Sequence, residues 1–277
     1  MIFLESSYGL ANRMRAIASG VGLSIDTTPK QKLNIIWPQN DALNCAFSDL
    51  FEPLVQVDIM EKFKYGNLLK ASAQPDRFKK TLASAVNKVL GIDHCIKADA
   101  DFKLDADIEA QLVEFIKAKK NVYIKTCAEF GAMETHFSHF QPIASLQKEI
   151  DRRVSMYSTN TVGLHIRRSD HKDARKYSPD SLFFSAIEKE LIAHPESKFY
   201  LATDDKPTID LLKNMFGDRI LSFTKDFSRD SLQGIQNALI DMYCLANTVK
   251  IYGSFNSSFS DVASRIKQIK LITLKSS

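Results

Sequence analysis

Short apolar runs rich in β-branched and aromatic residues alternate with longer stretches of helical period along this 277-residue chain. The runs Ile2–Leu4, Leu33–Trp37, Val55–Met60, Val122–Thr126, Thr161–Ile166, Lys198–Ala202, Arg219–Ser222, Thr248–Tyr252 and Leu271–Leu274 read as strands. Between them, Leu10–Ile25, Ile108–Ala118, Ser181–Leu191, Pro207–Phe216, Ser231–Leu245 and Ser257–Ile269 read as helices. Strands separated by helices build parallel sheets covered by helices on both faces. The expected fold class is therefore α/β. Nine strands and this length suit two small doubly wound units better than one sheet. The expected division is residues 1–150 and 151–277. It falls after the loop Phe137–Pro142, where a polar helix (Gln147–Arg153) precedes the strongest strand. The stretch Lys62–Lys103 is polar, weakly periodic and has no clear assignment.

Composition narrows the function classes. Hydrophobic residues are 44% and charged residues 25%, which excludes extensive disorder, collagen and coiled-coil rods. Lys+Arg 37 against Asp+Glu 33 gives a net charge of +4, spread along the chain. A dedicated nucleic-acid binder concentrates its basic residues, so the expected partner is a single anionic ligand. Cys45, Cys95, Cys127 and Cys244 lie far apart and form no metal-ligand spacing or disulfide framework. The start Met-Ile-Phe-Leu-Glu has no long apolar run behind it, and no stretch approaches a membrane span. The expected setting is cytoplasmic, at most peripheral at an inner membrane.

The sharpest feature is Thr161-Val-Gly-Leu-His165-Ile-Arg167-Arg168-Ser-Asp170, an apolar strand that ends in a histidine, two arginines and an acid. Strand ends in α/β sheets face the ligand crevice. Arginine's planar fork matches phosphate oxygens, and a nearby acid can hold it in place. The structural alternative is an exposed loop with an ordinary ion pair. A second strand ends in Thr203-Asp204-Asp205. These acids suit sugar hydroxyls or the orientation of an arginine, while Asp205 reads equally as the N-cap of the following helix. Third comes Lys250-Ile-Tyr-Gly253-Ser254-Phe-Asn256-Ser257-Ser258-Phe-Ser260, a strand, a glycine and a serine-rich helix start of the kind that binds phosphate. Beside the arginine pair it points to a diphosphate. The fourth, Gly9-Leu-Ala-Asn12-Arg13, is a glycine turn opening a helix. It is not a dinucleotide fingerprint, which argues against nicotinamide or flavin.

Other features read as structural. Asp99-Ala-Asp101 and Asp105-Ala-Asp107 have the DxD form of some metal-binding sugar-nucleotide enzymes but follow no strand. His136 and His139 read as surface histidines and His94 as a partly buried one. Serine-hydrolase elbows, HExxH and phosphate-binding GKS or GKT loops do not occur.

Taken in order, these motifs resemble those of GDP-fucose-dependent fucosyltransferases of the α-1,6 and bacterial nodulation-factor type. His165-x-Arg167-Arg168-x-Asp170 is similar to their HxRRxD motif, and Thr203-Asp204-Asp205 to their (S/T)DD strand end. Asp230-Ser-Leu-Gln-Gly234…Asp241 resembles their SLRG…LD segment, and Gly253–Ser260 their terminal serine motif. Gly9-Leu-Ala-Asn12-Arg13 resembles the G-x-x-N-R turn of the donor site. The resemblance implies a GT-B arrangement of two Rossmann-like domains facing a cleft, acceptor side first and GDP-sugar side second. It implies inverting, metal-independent transfer of fucose from GDP-fucose to a glycan or other acceptor hydroxyl, with no further cofactor, no nucleic acid and no transmembrane segment. His165 and Asp241 would then contact guanine, and Asp204 would belong to the donor site. Arg167 would bind the β-phosphate, with Asp170 positioning it and Arg168 supporting. Ser257 and Ser258 would donate to phosphate, and Asn12 and Arg13 would approach from the first domain.

The chain departs from the pattern at Arg175, where the α-1,6 enzymes place an acceptor-side glutamate. The general base is open between Asp173, His171 and a residue the sequence does not single out. The serine run is also one residue out of step. Two rival readings follow: a non-catalytic GDP-sugar-binding module, and an α/β protein that binds another phosphate-bearing partner.

Overall fold

The computed structural model describes residues 1–6, 8–26, 30–61, 87–88, 91–98, 106–131, 134–169, 171–224, 226–228 and 230–276. The chain forms two units, Met1–Gln141 and Pro142–Ser277, and each carries one five-stranded sheet whose strands all pair in parallel.

In the first unit, β1 (Ile2–Glu5), β2 (Leu33–Ile36), β3 (Val57–Met60), β4 (His94–Ala98) and β5 (Val122–Thr126) stand in the order β3-β2-β1-β5-β4, with helices α1 (Leu10–Asp26) and α2 (Ala106–Lys117). Every residue of β1 and β2 is buried, as parallel strands covered on both faces require. α1 lies tight on β1: a Cβ at Gly20 would come within 2.7 Å of Leu4 Cδ2. β4 falls inside the stretch that the sequence left unassigned. It is an edge strand in which His94, Cys95 and Lys97 surround Ile96, so it lacks the apolar run that marks a central strand. Its His94 ring stacks on Phe115 at 3.7 Å. His136, expected at the surface, is instead buried, because Phe137 of the same 3₁₀ turn and Phe140 just after it anchor in the core and carry it inward. Residues 99–101 and Asp105 of the two DxD sequences lie outside the described residues.

The second unit contains α3 (Ala144–Val154), β6 (Thr161–Ile166), α4 (Lys172–Tyr177), α5 (Asp180–Ala193), β7 (Lys198–Thr203), α6 (Lys206–Phe216), β8 (Ile220–Leu221), α7 (Leu232–Ala246), β9 (Lys250–Ser254), α8 (Ser258–Ile266) and β10 (Lys270–Leu274). The strand order is β10-β9-β6-β7-β8. Val162, Leu164 and Ile166 of β6 and Phe199 and Leu201 of β7 pack under Phe183 and Ile187 of α5 and Leu212 of α6. Each such fully buried side chain contributes about 1.5–3 kcal/mol. The division between units precedes α3, not residue 151, because Leu146, Ile150 and Arg153 of α3 are buried and the helix packs on α7. Sheet order reverses between β6 and β9, so their carboxyl ends diverge into a crevice. Among the described residues, no helix is long and apolar enough to cross a membrane.

Candidate functional site

The crevice is built from four chain segments brought together by strand order. β6 and β9 are joined by a serine: the Arg167 N–H donates to Ser254 Oγ at 3.0 Å, and that hydroxyl donates to the His165 carbonyl at 3.3 Å. Ser254 was part of the motif in the sequence but not among the residues expected to act. Its role is to fix where the two strands part.

Arg167 leaves the end of β6 and is held by the carboxylate of Asp204, at the end of the neighbouring β7. The same carboxylate accepts the backbone N–H of Arg168 at 2.8 Å and of Ser169 at 3.2 Å, and the Ser169 hydroxyl. The loop after β6 thus wraps around one anion. Burial pushes the Asp204 carboxyl up, but the Ser169 hydroxyl, the Arg167 charge and the Arg168 N–H outweigh it, and its pKa lies below the ordinary aspartate value. Of the two uses open to Asp204, the structure realises the orientation of an arginine. Asp170 lies outside the described residues.

Arg168 points elsewhere. Its guanidinium bonds Asp180, the Ser178 carbonyl at 3.0 Å and the Arg167 carbonyl at 2.9 Å. It braces the loop rather than presenting a free fork. The fully buried Ser178 accepts the Phe255 N–H at 2.7 Å and donates to the Leu274 carbonyl, tying the start of α5 to the loop after β9. Asp205 is the N-cap of α6, accepting the Thr208 N–H at 2.9 Å and its hydroxyl at 2.6 Å.

On the other wall, α8 begins at Ser258 with Ser257 as its N-cap residue, and no side-chain hydrogen bond caps it. The first N–H groups of an α-helix have no partner within the helix and favour an anion. β9 lets this end come close, since a Cβ at Gly253 would lie 2.7 Å from Ser260 Oγ. His165 is buried with its ring stacked on Phe259 of α8 at 4.8 Å. A cation on a fixed anion and an uncapped helix start therefore border one crevice.

Two expected residues, Asp241 and Arg13, are enclosed. Asp241 is buried in α7, its carboxylate bonded by Tyr200 Oη at 2.7 Å and Arg153 Nη1 at 3.1 Å. Arg153 also stacks over Phe223 at 4.4 Å and bonds Glu149 at 2.8 Å. Nothing in the sequence of α3 alone marks that arginine as buried. Arg13 is 0% exposed, and its three donor nitrogens bond the Tyr8 carbonyl at 2.6 Å, the Pro38 carbonyl at 2.7 Å and Asn40 Oδ1 at 3.1 Å, with Trp37 stacked at 4.7 Å. Burial lowers its pKa to about 10. It bolts the glycine turn inside the first unit rather than reaching out to a ligand. Asn12, half-buried, accepts from Arg15 at 2.7 Å. Asp173 is exposed in the first turn of α4, and His171 caps that helix, its Nδ1 accepting the Ala174 N–H at 3.1 Å. Among the described residues, no three His, Cys, Asp or Glu side chains cluster as a metal site would need.

Two doubly wound parallel sheets, with arginine, acid and an open helix start at the switch point of the second, define an α/β protein of two Rossmann-like units. The particular likenesses are to solved structures. The chain is similar to NodZ α-1,6-fucosyltransferase of Bradyrhizobium soaked with GDP-fucose (17% identity, 96% of this chain and 92% of that one, TM-score 0.60). It is similar to a variant of Arabidopsis thaliana FUT1 in complex with GDP (16% identity, 99% and 70%, TM-score 0.67), and to POFUT1 in complex with GDP-fucose (6% identity, 99% and 98%, TM-score 0.58). At these identities the likeness is one of fold. No protein-family model matches the chain, and no curated protein is detectably similar to it in sequence.

Proposed function

We propose that this chain is a glycosyltransferase that moves fucose from GDP-fucose to the hydroxyl of a glycan acceptor, with inversion and without a metal ion. The observation that carries the reading is Arg167, locked by Asp204 beside the uncapped start of α8. Breaking a sugar–phosphate bond leaves negative charge on the departing diphosphate. Fixed donors aimed at that charge lower the barrier without reorganising. Arg167 and the N–H groups and hydroxyls of Ser257 and Ser258 supply them, doing what a divalent cation does in DxD enzymes. Asp204 holds the guanidinium. Arg168 holds the loop. His165 is the guanine contact of this reading, with Asp241 acting behind the surface through Tyr200 and Arg153.

In the transfer, the acceptor hydroxyl attacks the anomeric carbon from the face opposite the phosphate. The new C–O bond forms as the bond to the β-phosphate oxygen breaks, that oxygen keeps the electron pair, and the hydroxyl proton passes to a base. His171 uses Nδ1 to accept a backbone N–H, so its neutral ring carries the proton on Nε2 and has no second acceptor. Asp173 is the better base. Cys45, Cys127 and Cys244 are buried and form no disulfide among the described residues, which agrees with a reducing, cytoplasmic setting.

Calorimetric titration of the metal-free protein with GDP, ADP and UDP tests the donor site: selective GDP binding is expected, and equal affinities would overturn the reading. Arg167→Ala is expected to lower fucose transfer by at least about a hundredfold with unchanged circular dichroism. GDP binding with neither transfer nor donor hydrolysis would instead establish a non-catalytic module.

A further inference from the structure

A second groove opens on the outer side of the same strand ends. It runs between the starts of α5 and α6, with Arg168, Arg175, Asp180, Asp205, Pro207 and Leu211 among its lining. The donor-site reading uses neither Arg175 nor Leu211. The charges in this groove are not equally committed. Arg168 and Asp180 bond each other. Asp205 has one oxygen, Oδ2, engaged by Thr208. The exposed Arg175 side chain has no hydrogen-bond or ion-pair partner among the described residues. α4 around it is basic, with Lys172, Arg175 and Lys176 against Asp173. Leu211 is 40% exposed beside Pro207, an apolar strip of the kind that packs on the C–H face of a sugar ring.

We propose that this groove is a saccharide subsite and that Arg175 selects a sugar bearing a negative substituent, a carboxylate or a phosphate ester. An uncommitted planar guanidinium at the mouth supplies the paired donors such a group accepts. The open Oδ1 of Asp205 takes a ring hydroxyl, and Leu211 and Pro207 carry the ring's apolar face. The inference rests on the transferase reading only in naming this sugar part of the acceptor. The subsite itself stands on the groove.

Chemical-shift titration of the full chain with methyl β-D-glucuronide, glucose 6-phosphate and methyl β-D-glucoside tests it, with a GDP titration run alongside. At least one acidic sugar is expected to bind about tenfold more tightly than the glucoside. Which one does so tells carboxylate from phosphate ester. The preference is expected to vanish in Arg175→Gln and to reverse in Arg175→Glu, while GDP affinity stays within twofold or so of the unaltered chain. A merely structural Arg175, complementing the end of α4 through its dipole, would shift thermal stability and leave the ranking of sugars alone. Equal binding of all three sugars, no binding of any, or a preference that survives Arg175→Gln overturns the proposal. Failure of GDP to bind, with the acid preference intact, sinks the transferase reading and leaves the subsite standing.

Discussion

Asp204 shows how one side chain can organise a loop that the sequence marks as reactive. It takes the Arg167 guanidinium and two backbone N–H groups, so its negative form is preferred in the folded state. A carboxyl depressed below its unfolded pKa contributes stability at neutral pH, and that contribution is lost as pH falls below about 4. In Asp204→Asn the fall of stability between about pH 4 and pH 2 is expected to be shallower than in the unaltered chain, by urea titration at each pH. The same variant is expected to bind GDP about tenfold more weakly at neutral pH, because Arg167 loses its fixed orientation. Equal GDP affinity would show that Arg167 needs no holder. The strand-end residues Arg167 and Asp204 were both legible as candidates, since charges at the end of an apolar run are conspicuous. That they serve each other was not, because the pair spans 37 positions.

At the scale of elements, the notable contact is α3 on α7. Arg153 reaches from the first helix of the second unit into the core, where Asp241 and Tyr200 meet it. Two charges buried together are tolerable, and one alone is not. Arg153→Met is expected to destabilise the unit by about 3–5 kcal/mol, because the buried Asp241 carboxylate loses its cationic partner. Adding Asp241→Leu is expected to recover the loss to within about 1 kcal/mol, since an apolar pair of similar size costs no desolvation. Denaturant midpoints at constant m-value measure both. If the double variant is no more stable than the single one, Asp241 does more than balance Arg153. In sequence, α3 reads only as a polar helix, Gln147–Arg153. Only its packing on α7 shows that one arginine faces inward, and this moves the unit boundary to the other side of the helix. β4 was missed for a related reason: an edge strand needs few apolar residues, so its period is faint.

On the scale of the whole molecule, each unit carries its own parallel sheet and its own core, and the groups proposed to hold the donor at the switch point belong to the second. With GDP about a hundredfold above its Kd, the opening free energy of the second unit is expected to rise by about 2.7 kcal/mol. Hydrogen exchange is expected to slow most at β6, β9 and α8 and least in the sheet β1–β5. Protection confined to the first unit would remove the switch point of the second as the ligand site. The sequence by itself determined the class of fold and the positions worth inspecting. Burial period is a local property, repeated every two residues in a strand and about every 3.6 in a helix, and it survives in a bare string of letters. Tertiary structure alone decided which of the expected charges are enclosed and which stand at the strand ends. Arg13 and Asp241 look as exposed in sequence as Arg167, yet both are enclosed, while Ser254 and Ser178 became structural links between strand ends. The reason is physical: a polar group's partners come from strand order and helix packing, which join residues tens of positions apart, and a buried charge persists only where those distant partners arrive.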